Sequence, residues 1–279
     1  MTSANNWQGA RKLINVQRAI RRGPLYVAEH RLRNMSKWIV SMIGFGIGNP
    51  VMFLLSVGIG VGALVDDNLG PNGVDGVGYL TFLAPALLAT AAIQGAMDET
   101  MFPTLAGFVW GKDFFAINAT QISGRSIAIG VVLAAGVRCS LSVLLYELIL
   151  ALFGAVSLAS LPALTLSSIL AGMAFGAVML MGASFVKQDD GIFAVVNRFV
   201  ITPMFMFSGT YYPLAVLPIY LQWIGWISPM WHATEIGRNL SYGHQVEPWL
   251  LWIHYAYLGL MLVVGVLIAS WQFTRRLAK

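Results

Sequence analysis

Two short stretches carry residue types that could do chemistry together. His232 and Glu235 stand three residues apart, a spacing that places both on one face of a helix, where they could share a metal ion. The remaining histidines, at positions 30, 244 and 254, are scattered along the chain. A catalytic zinc site uses three protein ligands, so two residues do not make one. We therefore predict no metal site.

The second stretch, "AGFVWGKDFF" at 106–115, superficially looks like a phosphate-binding loop. The first glycine of that motif is missing at the required spacing, and Asp113 stands where a Ser or Thr would bind magnesium. "QDDG" at 188–191 offers two adjacent acids, which are typical of a solvated turn, and no Ser/His/Asp or Cys/His nucleophile arrangement is visible. We expect no catalytic residue, and no cofactor bound by this chain.

The composition explains this scarcity of polar chemistry. Of the 279 residues, 57% are hydrophobic and only 10% are charged, whereas about a quarter of the residues in a soluble domain are charged. The solvent for most of the chain must therefore be lipid. The formal net charge of +5 comes from Lys and Arg in a few short segments, which points to membrane orientation and not to a nucleic-acid partner.

Apolar runs long enough to cross the hydrocarbon core define the elements. Each needs roughly 20 residues, and six such runs are found at 38–64, 77–97, 126–154, 162–185, 192–210 and 249–274. We predict an all-α integral membrane protein with six transmembrane helices in one domain, 38–279. Residues 1–37 precede it and include an amphipathic basic helix, with Leu13, Val16, Gln17 and Ile20 on one face. This helix could be an electrostatic anchor to membrane lipids or a docking surface for a cytoplasmic partner.

The placement of basic residues orients the chain. With both termini in the cytoplasm, fourteen of the 17 Lys and Arg residues lie on the inner side, and the first outer loop carries Asp66, Asp67 and Asp75. We predict a multi-pass protein of the plasma (inner) membrane with cytoplasmic N- and C-termini. Two further basic residues, Arg138 and Arg198, fall inside spans as intramembrane charges.

The outer segment 211–247 is apolar, aromatic and broken by proline. We predict two short helices, about 214–225 and 230–242, that dip into the outer leaflet and return, since irregular backbone is tolerated at membrane depth when it is buried in protein. A hairpin lying flat on the surface is the alternative. We expect Glu147 on the third span to contact Arg238, with Glu235 competing as the partner, because an unpaired charge at this depth is costly. Together with Trp231 these residues would form an outer gate over the translocation path.

Three motifs, in order, resemble those of type 2 ABC exporter permeases. "GNPVMFLLSVGIGVG" (48–62) resembles the first span, and "YLTFLAPALLATAAIQGAMDETMFPTLAGF" (79–108) resembles the second span and the following loop, with Ala86 where glycine is usual. "PMFMFSGTYYPLAVLPIYLQWIGWISPMWHATEIGRNLSYG" (203–243) resembles the end of the fifth span and the outer re-entrant helices. The similarity is greatest to the permeases for nodulation-factor lipo-oligosaccharides and daunorubicin-type anthracycline drugs.

The resemblance implies the rest of a transport complex. Such a permease dimerises, and it binds two copies of a separate cytoplasmic subunit that holds ATP and magnesium and performs the hydrolysis. A coupling helix is expected within 111–125, where Phe114, Phe115 and Ile117 would contact that ATPase; the same side chains could instead lie among the inner headgroups. The substrate would be an amphiphilic lipid, lipo-oligosaccharide or drug. Two alternatives are a stand-alone membrane enzyme acting on polyprenyl-linked lipids and an ion-coupled carrier.

Overall fold

A computed structural model describes residues 16–70, 73–188 and 191–278. Within these ranges the chain is helical apart from its connections and an isolated antiparallel bridge between Val74 and Val77. The predicted all-α class is confirmed for this part of the chain. Of the predicted N-terminal amphipathic helix, residues up to 15, including Leu13, lie outside the described ranges.

The described ranges form ten helices and one 3₁₀ turn, Leu214–Val216. The helices are α1 (Val16–Ser36), α2 (Ile39–Leu69), α3 (Tyr79–Val109), α4 (Asp113–Asn118), α5 (Gly124–Leu152), α6 (Leu161–Phe185), α7 (Ile192–Phe207), α8 (Ile219–Ile227), α9 (Pro229–Tyr242) and α10 (Pro248–Leu277).

Five of the described helices are long and apolar enough to cross a membrane: α2, α3, α5, α6 and α10. They coincide with five of the six predicted runs, and the remaining run, 192–210, contains the shorter apolar helix α7. The largest difference is at the end of α3, which continues past the predicted boundary at 97 to Val109 with a bend at Met101. The predicted run ended before the charged residues Asp98 and Glu99, whereas the helix continues through them into the apolar stretch Phe102–Val109.

Helix α3 is the centre of the packing, enclosed by α5, α6 and α9. Its close approach to α5 and α6 depends on Gly172 of α6, because a Cβ there would lie 2.5 Å from the Ala92 carbonyl oxygen of α3 and 2.5 Å from Cys139 Sγ of α5. Lipid provides no hydrophobic drive to bring helices together, so small residues that allow close van der Waals contact determine which helices meet.

One end of the bundle gathers α1, α4, the start of α5 and the last turn of α10. Gly130 of α5 lies against Val27 of α1, and Asn118 of α4 donates a hydrogen bond to the Leu277 carbonyl at 3.3 Å. We call this the basic end, because α1 carries several arginines. Residues Val16 and Ile20 of the predicted amphipathic face are exposed here.

The other end, called the opposite end below, holds the segment between α7 and α10. The predicted helices at 214–225 and 230–242 are found as α8 and α9, the first starting five residues later than predicted, after the 3₁₀ turn. Helix α9 is largely buried: a Cβ on Gly237 would lie 2.8 Å from Pro85 Cβ of α3. Pro85 is six residues into α3, roughly 9 Å along the helix axis. Helix α8, in contrast, exposes Trp223 and Trp226.

The contact at Gly172 can be tested by adding a single methyl group. We expect Gly172→Ala to destabilise the protein by about 1 to 3 kcal/mol through overpacking, visible as a lower melting temperature in detergent. Gly182→Ala on the same helix is the matched control, because no atom lies within 4 Å of its Cβ position. Equal melting temperatures for the two variants would contradict the close α3–α5–α6 contact.

Candidate functional site

A cavity of about 880 Å³ lies between α2, α3 and α5. Helix α2 contributes Phe45, Asn49 and Phe53, four residues apart on one face, and α3 and α5 contribute Gln94 and Leu145. The cavity extends from Arg31 of α1 at the basic end to Tyr211 at the opposite end. Helix α2 is little buried by the rest of the chain, which leaves this space beside it.

Of the charged side chains that line the cavity, Arg31, Arg138, Asp98 and Glu99 form two ion pairs at its basic end, and Asp113 of α4 also lines it. Arg138 of α5 donates to Asp98 Oδ2 at 2.8 Å. Arg31 Nε donates to Glu99 Oε1 at 2.7 Å, and its Nη2 donates to the Glu99 carbonyl at 3.0 Å. The predicted intramembrane charge Arg138 thus lines the cavity and has a carboxylate partner. Apart from these charged residues, the lining offers neutral polar and apolar groups, among them Asn49, Thr90, Gln94, Ser142 and Tyr146.

Arg198, the other predicted intramembrane charge, has a different environment. It lies on α7 in a π-helical turn, Asn197–Ile201, and its side chain is exposed, as are its neighbours Phe199 and Val200. Since it does not line the cavity between α2, α3 and α5, the structure separates the two intramembrane arginines that the sequence grouped together.

The predicted coupling residues differ in exposure. Phe114 is 1% exposed and packs edge-on against Phe108 of α3, with ring centroids 4.9 Å apart, and against Phe273 of α10 at 5.2 Å. The prediction that Phe114 inserts into an ATPase is therefore wrong, because its ring belongs to the core of this chain. Phe115 is 39% exposed and Ile117 is half-buried, so these two remain available to a partner.

A glycine accounts for the burial of Phe114. A Cβ on Gly107 of α3 would lie 2.6 Å from Phe114 Cε2, so only glycine leaves space for the ring. Arg276 of α10 covers the other side of this cluster, with its guanidinium 4.0 Å from the centre of the Phe108 ring, and donates to the Ser184 and Val186 carbonyls at 2.9 and 2.7 Å. In the sequence, Gly107 is the signal for the burial of Phe114, and the prediction did not use it.

At the opposite end, Arg238 is 2% exposed, and both of its terminal nitrogens are hydrogen-bonded, whereas its buried Nε has no hydrogen-bond partner among the described residues. Its Nη1 donates to Glu235 Oε1 at 3.1 Å, its Nη2 donates to the Gly209 carbonyl at 2.7 Å, and its guanidinium lies 3.8 Å from the centre of the Phe82 ring. A cation over an aromatic face in a desolvated site is a favourable contact. Arg238 therefore joins α9 to the chain after α7 and to α3.

The predicted contact between Glu147 and Arg238 is wrong. Glu147 accepts a hydrogen bond from Thr165 of α6 at 2.5 Å, because its side chain lies on the side of α5 that faces α6. Arg238 is paired instead with Glu235, the competing partner, which stands one helical turn before it on α9. The gate residues are thus only partly brought together: Glu235 and Arg238 are adjacent, and Glu147 belongs to a separate contact.

The fourth predicted gate residue, Trp231, packs edge-on against His232 and His254, with ring centroids 5.0 and 4.8 Å away. His232 Nδ1 lies 2.6 Å from His254 Nδ1, and its Nε2 lies 3.0 Å from the Trp226 carbonyl. Burial, followed by the nearby His254, lowers the pKa of His232 to about 4, so this ring is neutral at ordinary pH. Within the described ranges no three His, Cys, Asp or Glu side chains are grouped to hold a metal ion.

Sequence analysis missed the residue that links the segments at the opposite end. His244 follows α9, and its Nδ1 lies 2.6 Å from Asp75 Oδ2 in the loop after α2, while its Nε2 lies 3.3 Å from Glu235 Oε2. Tyr242 donates a further hydrogen bond to Asp75 at 2.8 Å. These residues are far apart in the sequence, and no spacing rule connects them.

Comparison with known proteins assigns this architecture to a family. Residues 45–242 match the family model for the ABC-2 type transporter. Nodulation protein J of Rhizobium leguminosarum bv. viciae is 28% identical over 251 residues, covering 88% of this chain and 93% of that protein. Nodulation protein J of Rhizobium meliloti (strain 1021) is 27% identical over 215 residues, covering 76% and 79%. The family model spans more than half of the chain and confirms the resemblance found in the sequence: this chain belongs to the ABC-2 type transporter family of multi-pass membrane proteins.

Proposed function

We propose that this chain is the membrane subunit of an ATP-driven exporter that moves an amphiphilic molecule out of the cytoplasm or the inner leaflet. The observation that carries this proposal is the cavity between α2, α3 and α5, which combines a polar end with long apolar walls. An amphiphile needs both surfaces, and a cavity of this size lies within the range of small-molecule sites.

The lining favours an uncharged, hydroxyl- or amide-rich headgroup such as an oligosaccharide. Both arginines of the cavity already have carboxylate partners, so an anionic phosphate would have to compete with Asp98 and Glu99. Asn49, Gln94 and Ser142 offer neutral hydrogen-bonding groups, and Phe45 and Phe53 offer apolar surface. A lipo-oligosaccharide fits this arrangement, which agrees with the similarity to nodulation proteins. A polyprenyl-lipid enzyme would need a cluster of free acids at one membrane face, whereas Asp98 and Glu99 are both paired and Asp113 is a single acid.

The energy source in this proposal is a separate cytoplasmic subunit, present in two copies, that holds ATP and magnesium. In place of a phosphate-binding loop, "GKD" at 111–113 forms the start of the short helix α4, with Lys112 at a φ of 53°. The subunit would contact the basic end, through the exposed part of α4 and through α1. This placement puts both termini in the cytoplasm of a cell whose plasma membrane holds the bundle.

The proposed topology has six spans, with α7 and the residues that follow it as the fifth. A second copy of the chain would complete the transporter, because α2 and α7 both present apolar side chains that this chain leaves uncovered, among them Val40, Met52, Phe199 and Met206. Helices α8 and α9 form the outer re-entrant segment. The burial of α9 against Pro85 supports this arrangement over a hairpin lying flat on the surface.

The coupling role of α4 can be tested with two neighbouring phenylalanines. We expect Phe115→Ala to leave the melting temperature unchanged but to weaken binding of the ATPase subunit roughly 30-fold, as for a hot-spot residue worth about 2 kcal/mol. Phe114→Ala should instead lower the free energy of unfolding by about 3 to 5 kcal/mol, because it empties a core site. The measurements are co-purification with candidate ATPase subunits and thermal melting.

Tyr220→Ala serves as the control for this experiment, because it removes an exposed aromatic ring at the opposite end. It should change neither binding nor stability. If Phe115→Ala binds the ATPase as tightly as the unchanged chain does, α4 is not the contact.

The use of the cavity can be tested by removing one polar group from its wall. We expect Asn49→Leu to raise about tenfold the concentration of a neutral acylated oligosaccharide that half-maximally stimulates the partner's ATPase, since one hydrogen bond is lost. Asn68→Leu is the matched control, on the same helix but outside the cavity. A phosphorylated analogue of the same oligosaccharide should stimulate less than the neutral one. Equal responses from both variants would show that this wall of the cavity is not part of the substrate path.

A further inference from the structure

Three separate segments at the opposite end meet at the side chain of His244. They are the loop between α2 and α3, which supplies Asp75; helix α9, which supplies Glu235; and the connection from α9 to α10, which carries His244 itself. The two ring nitrogens face different carboxylates, with Nδ1 at 2.6 Å from Asp75 and Nε2 at 3.3 Å from Glu235. We call this three-residue contact the His244 tie.

The backbone holds the histidine in this position. Gly243 ends α9 with a φ of +74°, a left-handed conformation that favours glycine and reverses the chain. The His244 amide then lies 3.4 Å from the Arg238 carbonyl, and Asn239 Nδ2 donates to the His244 carbonyl at 2.9 Å. The ring is therefore positioned by a helix cap and not by the two carboxylates alone.

The geometry requires a protonated ring. A neutral imidazole carries one N–H and can donate to only one of two carboxylates, whereas the imidazolium carries two and can donate to both. The hydrogen bond to Glu235 raises the pKa of His244 above its ordinary value, with the charge of Asp75 adding to the effect and burial opposing it. The charged and titratable groups that face the tie are Asp75, Tyr242, Glu235, Arg238 and His254.

Each carboxylate has a second partner that remains when His244 loses its proton. Glu235 keeps Arg238, and Asp75 keeps the Tyr242 hydroxyl. Burial opposes ionisation of Glu235, but the hydrogen bond from His244 and the charge of Arg238 outweigh it and hold the pKa of Glu235 below its usual range. Loss of the proton therefore weakens the connection between the segments, because the ring can no longer donate to both carboxylates, while the Tyr242 hydroxyl at the end of α9 still donates to Asp75.

We propose that the His244 tie is a proton-controlled fastening: the protonated ring strengthens the connection of the acidic loop to α9, and its deprotonation loosens that connection, with the Tyr242–Asp75 hydrogen bond remaining. Resting on the exporter function proposed above, the tie regulates the exit side, since α9 is the buried helix of the outer segment. Acid on the outer side holds the segments together most firmly, and alkaline conditions loosen the contact between them. Because the pKa of His244 is raised in the folded state, its protonation stabilises the fold. This stabilisation is fully present below the unfolded pKa of about 6.5 and is lost as pH rises through the folded pKa.

The titration can be measured directly, because the chain has only 4 histidines. In histidine-labelled protein, the NMR signal that disappears in His244→Gln identifies this ring. Its pKa should exceed about 6.5 and should fall in Glu235→Gln and in Asp75→Asn. Asp67→Asn, which removes an exposed acid near the same loop, should leave it unchanged. A pKa at or below the ordinary value, or one insensitive to both carboxylate changes, would overturn the proposal.

Stability and transport provide the second test. Between about pH 5.5 and about pH 8.5, the unchanged chain should lose about 2 to 4 °C more in melting temperature than His244→Gln does. His30→Gln, on the exposed face of α1, is the control and should follow the unchanged chain. In the assembled exporter, export should rise about two- to fivefold over this range, and His244→Gln should remove the rise.

These measurements separate the two proposals. The titration and melting do not depend on transport, so they decide whether the tie exists even if no export is observed with any ATPase subunit. If the tie titrates as expected but His244→Gln exports with the same pH profile as the unchanged chain, His244 does not control the exit, and the regulatory role is excluded.

Discussion

The need to pair buried charges determines how the helices meet. Each of three arginines is paired with a group on another part of the chain: Arg31, Arg138 and Arg238. An isolated charge in apolar surroundings is costly, whereas a paired and hydrogen-bonded one can be accommodated. Arg31 joins α1 to α3 through Glu99, and Arg138 joins α5 to α3 through Asp98. Arg238 joins α9 to the chain after α7. Helix α3 takes part in all three contacts, since the Phe82 ring lies beneath Arg238.

The central place of α3 explains why the cavity lies beside α2. Helices α5, α6 and α9 approach α3 closely through small residues, such as Gly172 and Gly237, and through these ion pairs. Helix α2 shares fewer such contacts; its own close approaches are those of Gly46 to Leu145 of α5 and of Gly58 to Leu80 of α3. The space left between α2 and the packed helices is therefore lined by the two paired arginines at one end and by apolar side chains along its length. The same packing that stabilises the bundle thus produces an amphiphilic cavity.

The sequence predicted the helices well because lipid leaves few choices. A run of some 20 apolar residues in hydrocarbon must satisfy its backbone internally, so hydropathy identifies a helix almost directly. It could not identify which side chains face each other, because this depends on rotation about each helix axis. The wrong pairing of Glu147 with Arg238 arose in this way, because Glu147 faces Thr165 of α6. The local Glu235–Arg238 pair was predictable, since three residues separate the two on one helix.

Helix α4 and the His244 tie show two further limits of prediction from the sequence. Phe114 and Phe115 are adjacent and chemically identical, so only the space beside Gly107 decides which of them is buried. Hydropathy contains no such information, although a glycine one helix away is a signal that could be sought. The His244 tie joins positions 75, 235 and 244, and a contact between distant segments requires the three-dimensional arrangement before it can be recognised.

The composition of the aromatic, proline-broken segment between α7 and α10 reflects the two different surroundings of its helices. Helix α9 packs against α3 and must be apolar on the buried side, while α8 exposes Trp223 and Trp226, which favour a membrane–water boundary. Its prolines lie at or just before the helix starts, with Pro218 preceding α8 and Pro229 opening α9, where the missing N–H costs no hydrogen bond. Ser228 caps α9 by accepting from the Met230 amide, and it also accepts a hydrogen bond from Ser208. Since the cap and the Arg238 contacts satisfy polar groups of this short helix within the protein, it can be buried against α3.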